Sequence, residues 1–365
     1  MKRLIFTVLV LFAGLTALLA QTPEVFVQGG KNHVQGIAYD AALDRMYLSF
    51  TTSFLVTDMQ GNVLASIDRI QGHLGAMTFN QADRKVYASL ECKDDVIGQG
   101  LSDFAKGRSM FYIAIIDVDK VTEKGMDSEN NEAFKIVCIK EATRDYHVTG
   151  FGLDGREYEH LYGCSGIDGV TIAPKLGKKG GKEYLYVAYG IYGDVLREDN
   201  DYQVLLRYDI KELNKYAGTV RFGDFYDKGP KKPLDKTFIF TGNTNWGVQN
   251  LAYDKASGKM LMAVYRGKKE RYPNHSMFMF DITRKPSKRL LEGVGYDTSK
   301  HPVIGTPADP VQGCDFKYGT TGMCPLGGGL FYFSQNGKDP DSGLQYSRVK
   351  LYRWTGDPAH PFAKD

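Results

Sequence analysis

Apolar positions along this chain fall into short, strand-length runs separated by turn residues, not at helical spacing. The stretch from His33 to Asp58 and just beyond shows the pattern. It reads VQGIAYD, a turn at Ala41–Asp44, RMYLSFT, a short link, FLVTD, and then GNVLASI. Tyr, Phe, Val and Ile fill the runs, and Asp, Gly and Asn fill the links, which is the composition of strands joined by tight turns.

The unit recurs, and repeats of this size decide the architecture. The second is HLGAMTFN (His73–Asn80), RKVYASLE (Arg84–Glu91), MFYIAIIDVD (Met110–Asp119) and FKIVCIK (Phe134–Lys140). The third is IDGVTIAP (Ile167–Pro174), EYLYVAYG, YQVLLRYDI (Tyr202–Ile210) and KTFIFTG (Lys236–Gly242). The fourth is VQNLAYD (Val248–Asp254), KMLMAVYRG (Lys259–Gly267), SMFMFDI (Ser276–Ile282) and RLLEG. The fifth is TTGMCPLGGG (Thr320–Gly329), LFYFSQNG (Leu330–Gly337) and RVKLYRWTG (Arg348–Gly356). Units of four strands repeated radially predict an all-β, five-bladed β-propeller. The fifth unit lacks an outer strand, and EVFVQGG (Glu24–Gly30) is expected to supply it, closing the ring and removing its open edges. A sixth blade would have to lie in the segments between units, notably Thr143–Tyr162 or Lys288–Val311. Short turns are expected at Ser102–Lys106 and Ile210–Lys215.

Residues 1–20, MKRLIFTVLVLFAGLTALLA, have a basic start, an apolar run and a small-residue end. They read as a secretory signal peptide. The remainder, 21–365, is expected to be one propeller domain, secreted or periplasmic, with no membrane span. Lys and Arg (46) nearly balance Asp and Glu (43), so no global charge points to nucleic acid. The five cysteines show no CxxC spacing and read as buried small side chains, with Cys314–Cys324 the shortest candidate bridge.

In a propeller, the approach to each innermost strand and the loop between the second and third strands lie on one face. The approaches are NHVQG, QGHLG, SGIDG, WGVQN and YGTTG. They leave Asn32, His33, Gln35, Gln71, His73, Ser165, Asp168, Trp246, Gln249 and Tyr318 around the channel mouth. The loops bring Glu91, Lys93 and Asp94 from unit two, AYGIYGDVLREDNDY (Ala188–Tyr202) from unit three, and Arg266 and Lys268 from unit four. His33 and His73 are the acid–base candidates, because histidine titrates near neutrality. Tyr189 and Tyr192 are candidate proton donors. Arg197 and Arg266 suit bidentate capture of an anion. Gln35, Lys93, Ser165, Asp168, Trp246, Gln249, Arg266, Lys268 and Tyr318 complete the expected substrate surface. Glu91, Asp94 and Asp194, with Asp168, are oxygen donors of the kind calcium takes. Calcium is therefore the one cofactor expected, and a zinc site would need His33 and His73 plus a carboxylate.

The segments NHVQG, SFTT, GHLGAM, GCSGIDG, AYGIYGDV with DNDYQV, WGVQN and YGTTGM resemble a family of secreted bacterial β-propeller proteins and cover nearly all of the chain after residue 20. More loosely, the architecture resembles propeller polysaccharide lyases, which attack uronate-containing glycans with His, Tyr and a charge-neutralising Arg. That resemblance implies an anionic oligo- or polysaccharide as partner and β-elimination as the reaction. Here His33 or His73 would be the base, Tyr189 or Tyr192 the acid, and Arg197 or Arg266 the neutraliser. The alternatives are a monomeric propeller that only binds a glycan or a protein, and a calcium-dependent hydrolase.

Overall fold

In the computed structural model, which describes residues 22–101, 107–163, 166–291 and 299–365, the strands form five sheets around a common axis, each with an antiparallel set of four main strands. Blade one runs outward from Gly36–Asp40 through Arg45–Ser49 and Phe54–Asp58 to Val63–Asp68. Blade two runs from His73–Asn80 through Lys85–Cys92 and Met110–Asp117 to Phe134–Cys138. Blade three runs from Gly169–Pro174 through Glu183–Gly190 and Tyr202–Tyr208 to Asp235–Phe240. Blade four runs from Thr244–Asp254 through Lys259–Arg266 and Met277–Asp281 to Gln312–Cys314. Blade five runs from Met323–Gly327 through Leu330–Lys338 to Gln345–Trp354.

The outer strand of blade five is Glu24–Gln28, as the repeat required. It pairs antiparallel with Gln345–Trp354 in the register Glu24↔Lys350 to Gln28↔Tyr346. Arg348 and Lys350 both reach Glu24, at 2.8 and 3.4 Å.

Burial explains why strands such as MFYIAIID are continuous apolar runs with little alternation. Each blade is covered on both faces by its neighbours, so both faces must be apolar. Five apolar clusters result, one between each pair of adjacent blades. The cluster between blades five and one holds Val25 and Val27 of the closing strand against Leu48, Phe50 and Tyr332. The tight turns follow from Asx chemistry. Asp40, Asn80 and Asp254 each end an innermost strand and accept the backbone N–H two residues on.

The outer edges depart from the simple repeat. RLLEG does not complete blade four; Ser287–Arg289 pairs instead with His301–Ile304 on the edge of blade three, and Gln312–Cys314 takes the outer place in blade four. Blade four's own third strand ends at Asp281, and the chain crosses to the neighbouring edge before returning. Thr143–Tyr162 forms no blade; it contains part of a helix, Lys140–His147, and a two-stranded hairpin, Gly150–Phe151 with Glu157–Tyr158. Ile210–Asn214 is a short helix capped by Asp209, and Ser102–Lys106 lies outside the described residues. Cys92, Cys138, Cys314 and Cys324 are free thiols. Cys314 and Cys324 sit on the outer strand of blade four and the inner strand of blade five, so the expected bridge does not form. No helix among the described residues is long and apolar enough to cross a membrane, and the expected signal peptide lies outside them.

Candidate functional site

His73 opens the innermost strand of blade two and is registered directly against Glu91 on the next strand. Residues opposite one another in an antiparallel pair project from the same face, and the two-residue period puts Lys93 on that face as well. A bulge follows immediately: the register skips between Leu74 and Met77, leaving Gly75 and Ala76 together opposite Ser89. Bulges re-aim side chains near sites. Here the third member, Asp168, arrives from the approach to blade three.

His73 Nδ1 lies 4.0 Å from Glu91 Oε2 and 3.9 Å from Asp168 Oδ1. Lys93 Nζ lies 3.4 Å from Glu91 Oε2 and 3.3 Å from Asp95 Oδ2. Two glycines make the convergence sterically feasible. A Cβ on Gly166 would stand 1.5 Å from Glu91 Oε1, and one on Gly75 would stand 2.3 Å from Ser89 Oγ and 2.7 Å from Asp168 Oδ1.

Both carboxyls are over nine-tenths buried, with Glu91 3 % and Asp168 7 % exposed. Glu91 Oε1 and Asp168 Oδ1 have no hydrogen-bond partner. Burial raises the pKa of Glu91 against the pull of Lys93. Burial and then the charge of Glu91 push Asp168 well above the ordinary carboxylate range. Burial, Lys93 and His33 hold the His73 imidazole down at about 3, so it is neutral at physiological pH. For Lys93, burial is outweighed by Glu91, Asp95 and Asp168, which keep it an ammonium. The cluster thus combines a fixed cation, a neutral imidazole and two carboxyls for which full ionisation is costly. His73, Glu91 and Asp168 each offer one ligand atom, all within 4.8 Å of one another. These three can hold a metal ion.

The other expected residues divide into those around this centre and those held elsewhere. His33 is exposed at the rim, its Nε2 bonded to Gln35 Nε2, and it is close enough to His73 for their charges to oppose. The Gln35 carbonyl accepts from Asn250, which also reaches Thr320 and so ties three blades at the axis. Gln249 is buried and donates to the Trp246 carbonyl. Trp246 keeps a 45 % exposed side chain on a left-handed backbone, φ 65°. Tyr318 is half-buried against Phe316 and Tyr352. Arg266 is exposed and paired with Asp315 at 2.9 Å, and Lys268 is exposed. Ser165 lies outside the described residues.

The long third-blade loop is built differently from the expectation. Tyr189 is buried between blades two and three, where its hydroxyl donates to Asp145 at 2.6 Å, so it does not face the mouth. Arg197 is buried too. It pairs with Asp199 at 2.8 Å, donates to the Leu161 carbonyl and lies over the Tyr158 ring. A buried guanidinium needs such partners, and its burial, with Nη1 left unpartnered, keeps it from the mouth. Tyr192 is exposed, 5.9 Å from the His160 ring. Asp194 accepts the Leu196 N–H and belongs to the loop's own turn. Asp94 is exposed and accepts from Gln99 and Gly107, each at 2.8 Å, which spends both its oxygens on its own loop. Neither Asp94 nor Asp194 joins Glu91 in a ligand group.

Two contributors escaped the sequence reading. Tyr265, one residue before Arg266, has its pKa raised by burial and by Asp168, and it bonds Thr320. Tyr146, from the helix after blade two, stacks on His160 at 3.9 Å and lies in the fields of Lys93, Asp95 and Glu91. The opposite mouth opens into a cavity of about 490 Å³ lined by all five innermost strands, including Tyr39, Phe79, Thr171 and Tyr253. No histidine lines it.

No family model matches this chain, and no curated protein does. Among solved structures it is similar to the soluble aldose sugar dehydrogenase of Escherichia coli in its apo form, with TM-score 0.41 and 10 % identity over 92 % of this chain and 99 % of that one. A likeness of that size is silent on the reaction.

Proposed function

We propose that the chain is a carbohydrate-active enzyme that cleaves an anionic, uronate-containing glycan at the channel mouth by β-elimination. One observation carries this reading: two imidazoles, two buried carboxyls with unpartnered oxygens and a phenol meet around one axis from separate blades. β-Elimination needs a base for the proton α to the carboxyl, an acid for the leaving oxygen, and a positive group on the carboxylate. His33 suits the base, because its ring is accessible at the rim and Gln35 orients it until substrate displaces the amide. Tyr265 suits the acid, standing beside Asp168 with its phenol proton in place. The C–H electron pair becomes the new C=C bond, the C–O bond to the leaving sugar breaks, and that oxygen takes the phenol proton. The proton held by His33 then returns the site to its starting state. Exposed Arg266 and Lys268 suit the flanking acidic sugars.

A panel of uronate polysaccharides tests the reaction. Ultraviolet absorbance should rise as the unsaturated product forms, and product mass should show no added water. His33→Ala and Tyr265→Phe should each lower the rate by about 10²–10⁴-fold, the usual worth of a positioned acid or base. Products carrying an added water would instead assign Glu91 and Asp168 to hydrolysis. Retention without cleavage across the panel would leave a binding propeller.

A further inference from the structure

The mouth lacks what an anionic substrate requires. Arg197 is buried and paired with Asp199 and the Leu161 carbonyl, Lys93 is engaged by Glu91 and Asp95, and two carboxyls occupy the centre. A uronate carboxylate entering that centre would meet two carboxyls and an ammonium already paired with Glu91 and Asp95. Glu91 Oε1 and Asp168 Oδ1, buried without donors, pose the same problem from inside, since an unsatisfied buried acceptor is costly.

We infer that His73, Glu91 and Asp168 bind a divalent cation at the channel mouth, and that this cation takes the substrate carboxylate in place of the expected arginine. His73 Nδ1 and one oxygen from each carboxylate are the donors. With separations of 3.9 and 4.0 Å from His73 to the two carboxylates, and none above 4.8 Å, a point equidistant from all three lies no more than about 2.5 Å away. A larger divalent ion fits there unchanged, and a zinc-sized ion fits after the side chains draw in by a few tenths of an ångström. One nitrogen and two oxygens suit Mn²⁺ or Zn²⁺ better than the all-oxygen shells of Ca²⁺ and Mg²⁺. Three protein donors leave coordination positions open, as catalytic sites do. Lys93 holds Glu91 Oε2, the oxygen that faces His73, at 3.4 Å, a supporting contact of the kind that orients ligands. The site rests on geometry alone. The role given to its ion rests on the glycan reading.

The test uses the full mature protein, stripped with chelator and titrated calorimetrically with MnCl₂, ZnCl₂ and CaCl₂. One equivalent of Mn²⁺ or Zn²⁺ should bind and raise the melting midpoint. Asp168→Asn and Glu91→Gln should each weaken binding tenfold or more, while Asp281→Asn, in a turn on the opposite face of the ring, should leave it unchanged. Bound Mn²⁺ should show hyperfine coupling to an imidazole nitrogen that disappears in His73→Phe, a readout independent of any change in stability. Binding of none of the three ions, or binding indifferent to these substitutions, overturns the site. Binding of Ca²⁺ alone, or bound Mn²⁺ without nitrogen coupling, overturns the donor set. Glycan cleavage that continues in chelator removes the ion's role and leaves β-elimination standing, whereas ion binding without cleavage of any glycan does the reverse.

Discussion

Asp168 shows how a single residue is held at a cost to the fold. It is buried beside Glu91, and its native pKa is raised well above the ordinary value. Between those two values the folded chain binds more protons than the unfolded chain, so the contribution of Asp168 to stability is present in acid and lost as pH rises. Asn cannot titrate. In chelated protein, Asp168→Asn should therefore match wild type near pH 4 and exceed it at pH 7 by about 1–2 kcal/mol, measured by urea unfolding at both values. A gain that is the same at both pH values would show that Asp168 is not strained by its charge. His73, Glu91 and Lys93 were legible in sequence because strand period and register alone place them together. Tyr265 was not, because the charge of Arg266 drew attention to the opposite face of the same strand.

At the scale of elements, the loop after Gly190 was legible as exceptional but not as a lock. Its Tyr, Arg and Asp content reads equally as a binding surface. The partners that decide otherwise, Asp145 for Tyr189 and Leu161 for Arg197, are remote in sequence and arrive only through the packing of the helical insertion between blades two and three. The same loop is pinned from blade four. Lys269 is buried, donates to the Arg197 carbonyl, and meets Asn200 at 2.7 Å and Asp201 at 2.6 Å, while Arg271 and Tyr272 reach Asp201 from outside. Burial lowers the Lys269 pKa despite these partners. Asp201→Ala strands that ammonium and should cost about 3–5 kcal/mol, with faster amide exchange in residues 191–201 than elsewhere. If exchange rises evenly over all blades, the loop is not a separate unit of stability.

For the whole molecule, blade number and ring closure were readable because each innermost strand carries the same apolar signature and the fifth unit is visibly one strand short. The outer edges were not, because edge strands as short as Ser287–Arg289 have no periodicity to read and pair across a blade boundary. Closure can be tested at Val27, which is fully buried against blade one. Val27→Asp buries an unpaired carboxylate and should lower stability by several kcal/mol, with a lower urea midpoint and an exposed edge that promotes self-association. An unchanged midpoint would show that the closing strand is dispensable.

The pairing of Glu24–Gln28 with Gln345–Trp354 also orders events in time. A ribosome makes the first of these strands long before the second, and the cluster between blades five and one stays half-formed until both exist. Four blades can assemble on a growing chain, but the fifth interface waits for residues 345–354. Joining segments so far apart also makes the last step slow. The first strand therefore spends that interval as an unpaired edge, the period in which a chaperone finds the chain most open to capture.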